Sequence, residues 1–142
     1  MRWDDDINNP AEEIKQLEET VKKNPRDANA YYRLGTAYEC LKDFADAAEA
    51  AEKAVKLDPN NIIFQAFYSY ANTRDEKHEK AIEALVALIE LGVDESDYYV
   101  DVAQGVQRGM DKESALLKIA SLRKEGKDSV ANKLEEWLVK PV

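Results

Sequence analysis

The chain has 142 residues, of which 44% are hydrophobic and 35% are charged, and its net charge at pH 7 is −9. This composition is typical of one soluble globular domain. The acidic balance argues against nucleic acid and anionic membranes as partners, because both are bound mainly through clustered cations. Cys40 is the only cysteine and no signal peptide precedes the first helix, so the sequence predicts a cytoplasmic protein without disulfides.

The N-terminal segment is predicted to be an acidic lead-in followed by a helix. Residues 1–10 form the lead-in, and Asn9 is the expected N-cap of a helix that Pro10 starts. The stretch EEIKQLEETVKKNPRD then predicts an N-terminal helix within residues 11–27. Asn24 and Pro25 end it, because proline disfavours the helical conformation of the residue before it.

Residues 28–61 are predicted to form a helical hairpin. Tyr31, Leu34, Tyr38 and Leu41 recur at the spacing of one helix face, and residues 44–57, which end in Leu57, repeat the pattern for a second helix. The turn at positions 42 and 43 is short enough that the two helices must run antiparallel. Asp58 and Pro59 stop the second helix.

The hairpin repeats with a period of 34 residues. A shift of that length aligns Ala47 with Ala81 and Ala115, and it aligns the small residues Gly35 and Ser69 with position 103. Small residues at fixed places indicate close approach between helices. The repeating units are residues 28–61, 62–95 and 96–129.

The C-terminal segment, residues 127–142, is predicted to be an amphipathic capping helix with a short tail. Its apolar side chains fall on one side, namely Val130, Leu134, Trp137 and Leu138. A stack of hairpins needs such a helix, because the last hairpin cannot otherwise bury its apolar face.

These units resemble the tetratricopeptide repeat family. The first unit carries the family's signature at Tyr31, Leu34, Gly35, Tyr38, Ala47, Ala54 and Pro59. The second unit departs from it, with Gln65, Asn72 and Val93 at signature positions. The resemblance implies an all-α, right-handed superhelical stack of helix-turn-helix hairpins, with three repeats between the N-terminal helix and the capping helix.

No residue pattern predicts catalysis or a cofactor. His78 is the only histidine, and the second histidine of a zinc-protease motif is replaced by Ile82. Asp4, Asp6 and Asn8 have the spacing of a calcium loop but lack the glycine and the glutamate that complete it. We therefore expect a protein that is not an enzyme and holds neither metal nor cofactor.

The resemblance places binding on the concave face, which the first helix of each hairpin lines. The residues on that helix but off its core face are Tyr32, Arg33, Thr36, Glu39 and Cys40 in the first unit, Ile63, Phe67, Tyr70 and Arg74 in the second, and Asp97, Val100, Asp101, Gln104 and Arg108 in the third. The stretch IIFQAFYSYA has two interpretations. Either the middle helix is buried against neighbours on both sides, or Phe67 and Tyr70 line a peptide-binding groove.

The expected partner is a peptide or helix of another protein. Co-chaperone members of the family clamp a carboxylate terminus with lysine, asparagine and arginine, but the matching positions here are Tyr32, Thr36, Phe67, Asp97 and Asp101. Because carboxylates repel an acidic ligand, we predict an apolar segment with Lys or Arg over the third unit. A co-chaperone or assembly-factor role fits such binding.

An alternative function is that of a structural subunit or homo-oligomer that associates through its convex face or through the ends of the stack. In that arrangement Trp3 and Trp137 would be contact anchors rather than cap packing. An engineered repeat protein is a third alternative, which the eroded second and third units disfavour, because a design would keep its signature in every unit.

Overall fold

A computed structural model describes residues 7–93, Arg108 and residues 112–139 of the chain. These residues form seven α-helices and no strand. The helices are α1 (Pro10–Lys23), α2 (Ala28–Cys40), α3 (Phe44–Leu57), α4 (Ile62–Arg74), α5 (His78–Glu90), α6 (Lys112–Lys124) and α7 (Asp128–Leu138).

The helix boundaries follow the period found in the sequence. Helices α2 and α4 begin 34 residues apart, at positions 28 and 62, and α3, α5 and α6 begin at positions 44, 78 and 112. Neighbours in the chain pack in series, α1 on α2, α2 on α3, α3 on α4 and α4 on α5. The predicted all-α stack of repeated hairpins is therefore confirmed. The first helix expected for the third unit lies almost wholly outside the described residues.

Polar caps explain where most of these helices begin. The residues before α1, α2, α3 and α4 each accept a hydrogen bond, through a side-chain oxygen, from the backbone N–H three positions on; they are Asn9, Asp27, Asp43 and Asn61. Asn9 and Pro10 thus start α1 as predicted. Helix α5 differs, because Lys77 precedes it and provides no side-chain cap.

The turn inside each of the first two hairpins has the same backbone. Lys42 and Glu76, 34 residues apart, both adopt a φ of 60°. This left-handed conformation costs a residue with a Cβ about 1–2 kcal/mol. The conformation occurs in both turns because one left-handed residue lets the chain reverse between two antiparallel helices.

Two hydrophobic clusters form the core. The first joins α2, α3 and α4, and the second joins α5, α6 and α7. Ala47, Ala81 and Ala115 are completely buried, which confirms that the aligned small residues mark close helix contacts. Helices α4 and α5 contribute to both clusters, because Ala66 of α4 belongs to the second cluster and Ala84 of α5 belongs to the first.

Helix α7 caps the second cluster. It packs on α6 and also reaches α5, and its side chains Leu134, Trp137 and Leu138 are buried there. Trp137 is therefore part of the cap packing, not an exposed contact anchor, which corrects the alternative considered above. Trp3, the other proposed anchor, lies outside the described residues.

None of the described helices is both long enough and apolar enough to cross a membrane.

Candidate protein-interaction site

An aromatic platform lies where α2 and α4 meet, made of Tyr32, Phe67 and Tyr70. Phe67 is its floor, with 0% of its side chain exposed. Gly35 of α2 makes room for it, because a Cβ at position 35 would lie 2.6 Å from Phe67 Cε1, closer than carbon atoms pack. The small residue predicted to allow close helix approach therefore accommodates a ring from the next unit.

Tyr32 covers one side of this floor and is half-buried. Its ring centroid lies 5.6 Å from that of Phe67 in an edge-on arrangement, and 5.2 Å from that of Phe64 in a stacked one. Two ring contacts in different planes fix the orientation of the phenol. Tyr32 thus presents a rigid, partly exposed aromatic surface.

Tyr70 covers the other side, and its hydroxyl donates a hydrogen bond to Glu39 Oε1 at 2.8 Å. Its ring centroid is 6.3 Å from that of Phe67. Glu39 is half-buried and is one of the residues predicted to lie off the core face of α2. It stands one helical turn further along α2 than Tyr70 stands along α4.

Two of the predicted groove residues have internal roles instead. Thr36 is buried and donates its hydroxyl hydrogen bond to the Arg33 carbonyl oxygen at 2.9 Å. Arg33 Nε donates to Glu13 Oε1 at 3.1 Å, and this ion pair joins α1 to α2. The guanidinium of Arg33 is thus engaged by the preceding helix.

Arg74 is exposed at the C-terminal end of α4. Its guanidinium carbon lies 4.6 Å from the ring centroid of Phe44, a cation–π contact between the two hairpins. Arg108 is also exposed. Asp97, Asp101 and Gln104, the other predicted residues of the third unit, lie outside the described residues.

Phe67 and Thr36 were predicted to line the groove, but both side chains are buried. Neither side chain reaches the surface, so neither can contact a ligand in this conformation. Phe67 fits the other interpretation given above, in which the middle helix is buried on both sides. Tyr32 and Tyr70 are the aromatic residues of the predicted set that keep partial exposure.

Two further tyrosines have strongly raised pKa values. Burial, with a hydrogen bond to Glu18 and nearby carboxylates, raises the pKa of Tyr38 to about 12. Burial and the charges of Glu52 and Glu83 raise the pKa of Tyr68 to about 12. Because the folded pKa values exceed the ordinary value near 10, the stability they contribute is fully present below pH 10 and is lost as the pH rises toward 12.

The described residues offer no metal site. No group of three or more His, Cys, Asp or Glu side chains in ranges 7–93 and 112–139 could hold an ion. Cys40 is half-buried at the end of α2, and His78 is the first residue of α5.

The serial packing of hairpins and the shared 34-residue period define an α-helical repeat protein. Residues 28–61, which contain α2 and α3, match the family model described as tetratricopeptide repeat. The chain therefore contains a tetratricopeptide repeat. Repeats of this family generally mediate protein–protein interactions and are generally not enzymes.

Short segments of the chain are similar to two kinds of larger protein. The Hsp70-Hsp90 organizing protein of Triticum aestivum is 42% identical over 55 residues, which are 39% of this chain and 10% of that protein. Cellulose synthase operon protein C of Escherichia coli K12 is 42% identical over 48 residues, which are 34% of this chain and 4% of that protein. The similarity therefore spans one tenth or less of each relative.

Proposed function

We propose that this protein is a non-enzymatic interaction module that holds a peptide or helix of a partner protein against the α2–α4 face. The observation that carries the proposal is the aromatic platform. Tyr32 and Tyr70 stay partly exposed above a completely buried Phe67. A role as a co-chaperone or an assembly factor is consistent with such binding, and the similarity to an Hsp70-Hsp90 organizing protein supports it.

The platform is suited to binding because its rings are already ordered. Tyr32 is fixed by Phe64 and Phe67, and Tyr70 is fixed by Phe67 and by the hydrogen bond to Glu39. An ordered tyrosine buries a large area with little loss of side-chain entropy. Apolar side chains of a peptide can therefore pack on it at low entropic cost.

Charge near the platform favours a basic ligand. Glu39 places a carboxylate next to the Tyr70 hydroxyl, and the chain as a whole carries a net charge of −9. Asp97 and Asp101 add negative charge in the third unit of the sequence. An apolar peptide ending in Lys or Arg fits this arrangement, whereas an acidic tail is repelled by it.

We expect Tyr70→Ala to weaken binding of a fluorescein-labelled apolar peptide with a C-terminal Lys-Lys by about tenfold or more, because it removes a central aromatic anchor. Fluorescence anisotropy gives the dissociation constant. Tyr31→Ala is the matched control, because Tyr31 is an equally half-buried tyrosine that faces the α1–α3 side of α2.

Equal loss in Tyr70→Ala and Tyr31→Ala would contradict the proposal, since it would show only a general loss of stability. Tighter binding of the same peptide with Glu-Glu in place of Lys-Lys would contradict the predicted charge preference. Circular dichroism of each variant verifies that the helices remain folded.

Self-association is a second candidate function, favoured by two exposed leucines on α6. Leu116 and Leu117 are 49% and 66% exposed. Leu117 borders a 230 Å³ groove between α5 and α6 whose floor includes Ile82. Adjacent exposed leucines beside a groove are typical of an association surface.

If this surface mediates self-association, the wild-type sedimentation coefficient will rise with concentration. The double variant Leu116→Ser and Leu117→Ser will then remain a monomer. Leu41→Ser is the control, because Leu41 is similarly exposed but lies at the end of α2. A wild-type protein that sediments as a monomer up to about 100 μM, a concentration well above most specific dissociation constants, would contradict this candidate.

A further inference from the structure

A basic groove lies between the second helices of the two described hairpins. This α3–α5 groove has a volume of 440 Å³, and the C-terminal end of α4 contributes Asn72 and Asp75 to it. Its charged lining comprises four lysines and three acidic residues, namely Lys53, Lys56, Lys77, Lys80, Glu49, Glu52 and Asp75. The lining thus has an excess of one positive charge in a chain whose total charge is −9.

The equivalent groove one repeat earlier is smaller and differs in one central residue. It lies between α1 and α3, has a volume of 210 Å³, and is lined by Tyr38. Asn72 stands 34 residues after Tyr38, so it occupies the same place in the second unit. Because asparagine is much smaller than tyrosine, the second groove remains open where a phenol ring fills the first.

The charge also reverses between the two grooves. Asp43 and Asp46 begin α3, and the residues 34 positions later are Lys77 and Lys80 at the start of α5. Lys77 provides no capping carboxylate for α5, where Asp43 provides one for α3, and Glu79 is the acidic residue in the first turn of α5. The second unit therefore carries two lysines at the positions where the first carries two aspartates.

The ion pairs already present in the groove leave lysine ammonium groups that can bind an anionic ligand. Glu52 Oε1 lies 3.7 Å from Lys80 Nζ and 3.8 Å from Lys56 Nζ, and Glu49 Oε1 lies 3.6 Å from Lys53 Nζ. Such long, exposed pairs contribute little stability, so a ligand can exchange with them. Lys77 makes no ion pair within the described ranges.

Asn72 adds a buried polar group to the same lining. It is 1% exposed, and its Nδ2 donates to the Tyr68 carbonyl oxygen at 2.8 Å. Because the side chain is 1% exposed, Asn72 forms the floor of the groove, and the lysine ammonium groups are the contacts within reach of a ligand.

We propose that the α3–α5 groove binds the carboxylate side chains of an acidic peptide segment, with Lys77 and Lys80 as the charged contacts and Asn72 as the floor. An excess of one positive charge, supplied by lysines without arginine, matches a monoanionic carboxylate better than a dianionic phosphate. This site is distinct from the proposed α2–α4 face, since its charged contacts, Lys77 and Lys80, stand at the start of α5 and its ligand has the opposite charge.

The test is a titration of the ¹⁵N-labelled full chain with an acetylated, amidated peptide of alternating Glu and Ala. We expect saturable shifts of the Asn72 side-chain amide signals. The double variant Lys77→Ala and Lys80→Ala should bind at least about tenfold more weakly, because it removes two charge-assisted hydrogen bonds. Asn72→Tyr, which restores the residue of the first unit, should abolish binding by filling the groove.

The control is the double variant Lys15→Ala and Lys22→Ala, which changes the net charge equally on α1, where both lysines are exposed. Equal weakening in the two double variants would overturn the proposal, since it would reflect net charge alone. Equal binding of a Gln-Ala peptide, or shifts of Asn72 with inorganic phosphate but not with the Glu-Ala peptide, would also overturn it. Retained binding of the Lys-Lys peptide by the Lys77 and Lys80 variant separates this site from the α2–α4 face.

Discussion

Replacing Phe67 with alanine is expected to lower the free energy of unfolding by about 3–5 kcal/mol, the usual cost of truncating a buried phenylalanine. Phe67 is completely buried, and the Gly35 backbone, Tyr32 and Tyr70 all lie against it. The cavity left behind cannot close easily, because the α2 backbone on one side is held by its own helix.

Urea denaturation followed by circular dichroism measures this change. Ile63→Ala serves as the control on the same helix, because the Ile63 side chain is 44% exposed and should cost less than about 1 kcal/mol. A loss below about 1 kcal/mol for Phe67→Ala would show that the ring is not packed in solution as described.

Replacing Trp137 with alanine is expected to cost about 3–5 kcal/mol as well, through loss of the C-terminal cap. Trp137 lies in the cluster shared by α5, α6 and α7, and α7 has few other anchors beyond Leu134 and Leu138. Without the indole, the apolar faces of α5 and α6 are left partly open to water.

Trp137→Phe separates packing from hydrogen bonding. The indole Nε1 is buried and has no hydrogen-bond partner among the described residues, so its removal breaks no hydrogen bond with them. We expect the phenylalanine variant to lose much less stability than the alanine variant in thermal unfolding, and Glu136→Ala, an exposed neighbour, to lose almost none. Equal losses for the phenylalanine and alanine variants would contradict a packing role.

The repeat period could be predicted because the residues that carry it are small and buried. Ala47, Ala81 and Ala115 align in the sequence and are completely buried in the fold. Periodicity overestimated the core at helix ends, where Leu41 and Leu57 are 51% and 37% exposed. Both leucines have the spacing of the buried face, but the adjoining turn leaves no neighbouring helix to cover them.

The candidate site was predictable only in part. Tyr70 and Phe67 both lie off the expected core face of α4, and the sequence gives no reason to separate them. The difference in burial comes from Gly35, which stands 32 residues before Phe67. Its missing side chain leaves space for the Phe67 ring but not for the Tyr70 ring. The sequence places Glu39 off the core face of α2 but does not pair it with Tyr70, because Tyr70 belongs to the next unit.

The α3–α5 groove shows a different limit of sequence reasoning. Asn72 stands out in the sequence as a lost signature tyrosine, which alone indicates only erosion of the repeat. Its proposed role in ligand binding depends on Lys77 and Lys80, which line the same groove because of the helix packing. A departure from a family pattern is thus informative once its neighbours in space are known.

Helices α4 and α5 each contribute residues to both hydrophobic clusters, and this arrangement affects how the molecule unfolds locally. Since α4 and α5 contribute to both, neither half can melt without exposing apolar surface of the other. Amide hydrogens in these central helices should therefore exchange slowest with solvent, while the terminal helices fray first. A ligand bound at Tyr70 would accordingly slow amide hydrogen exchange as far away as α7. The described helices would then respond to binding cooperatively.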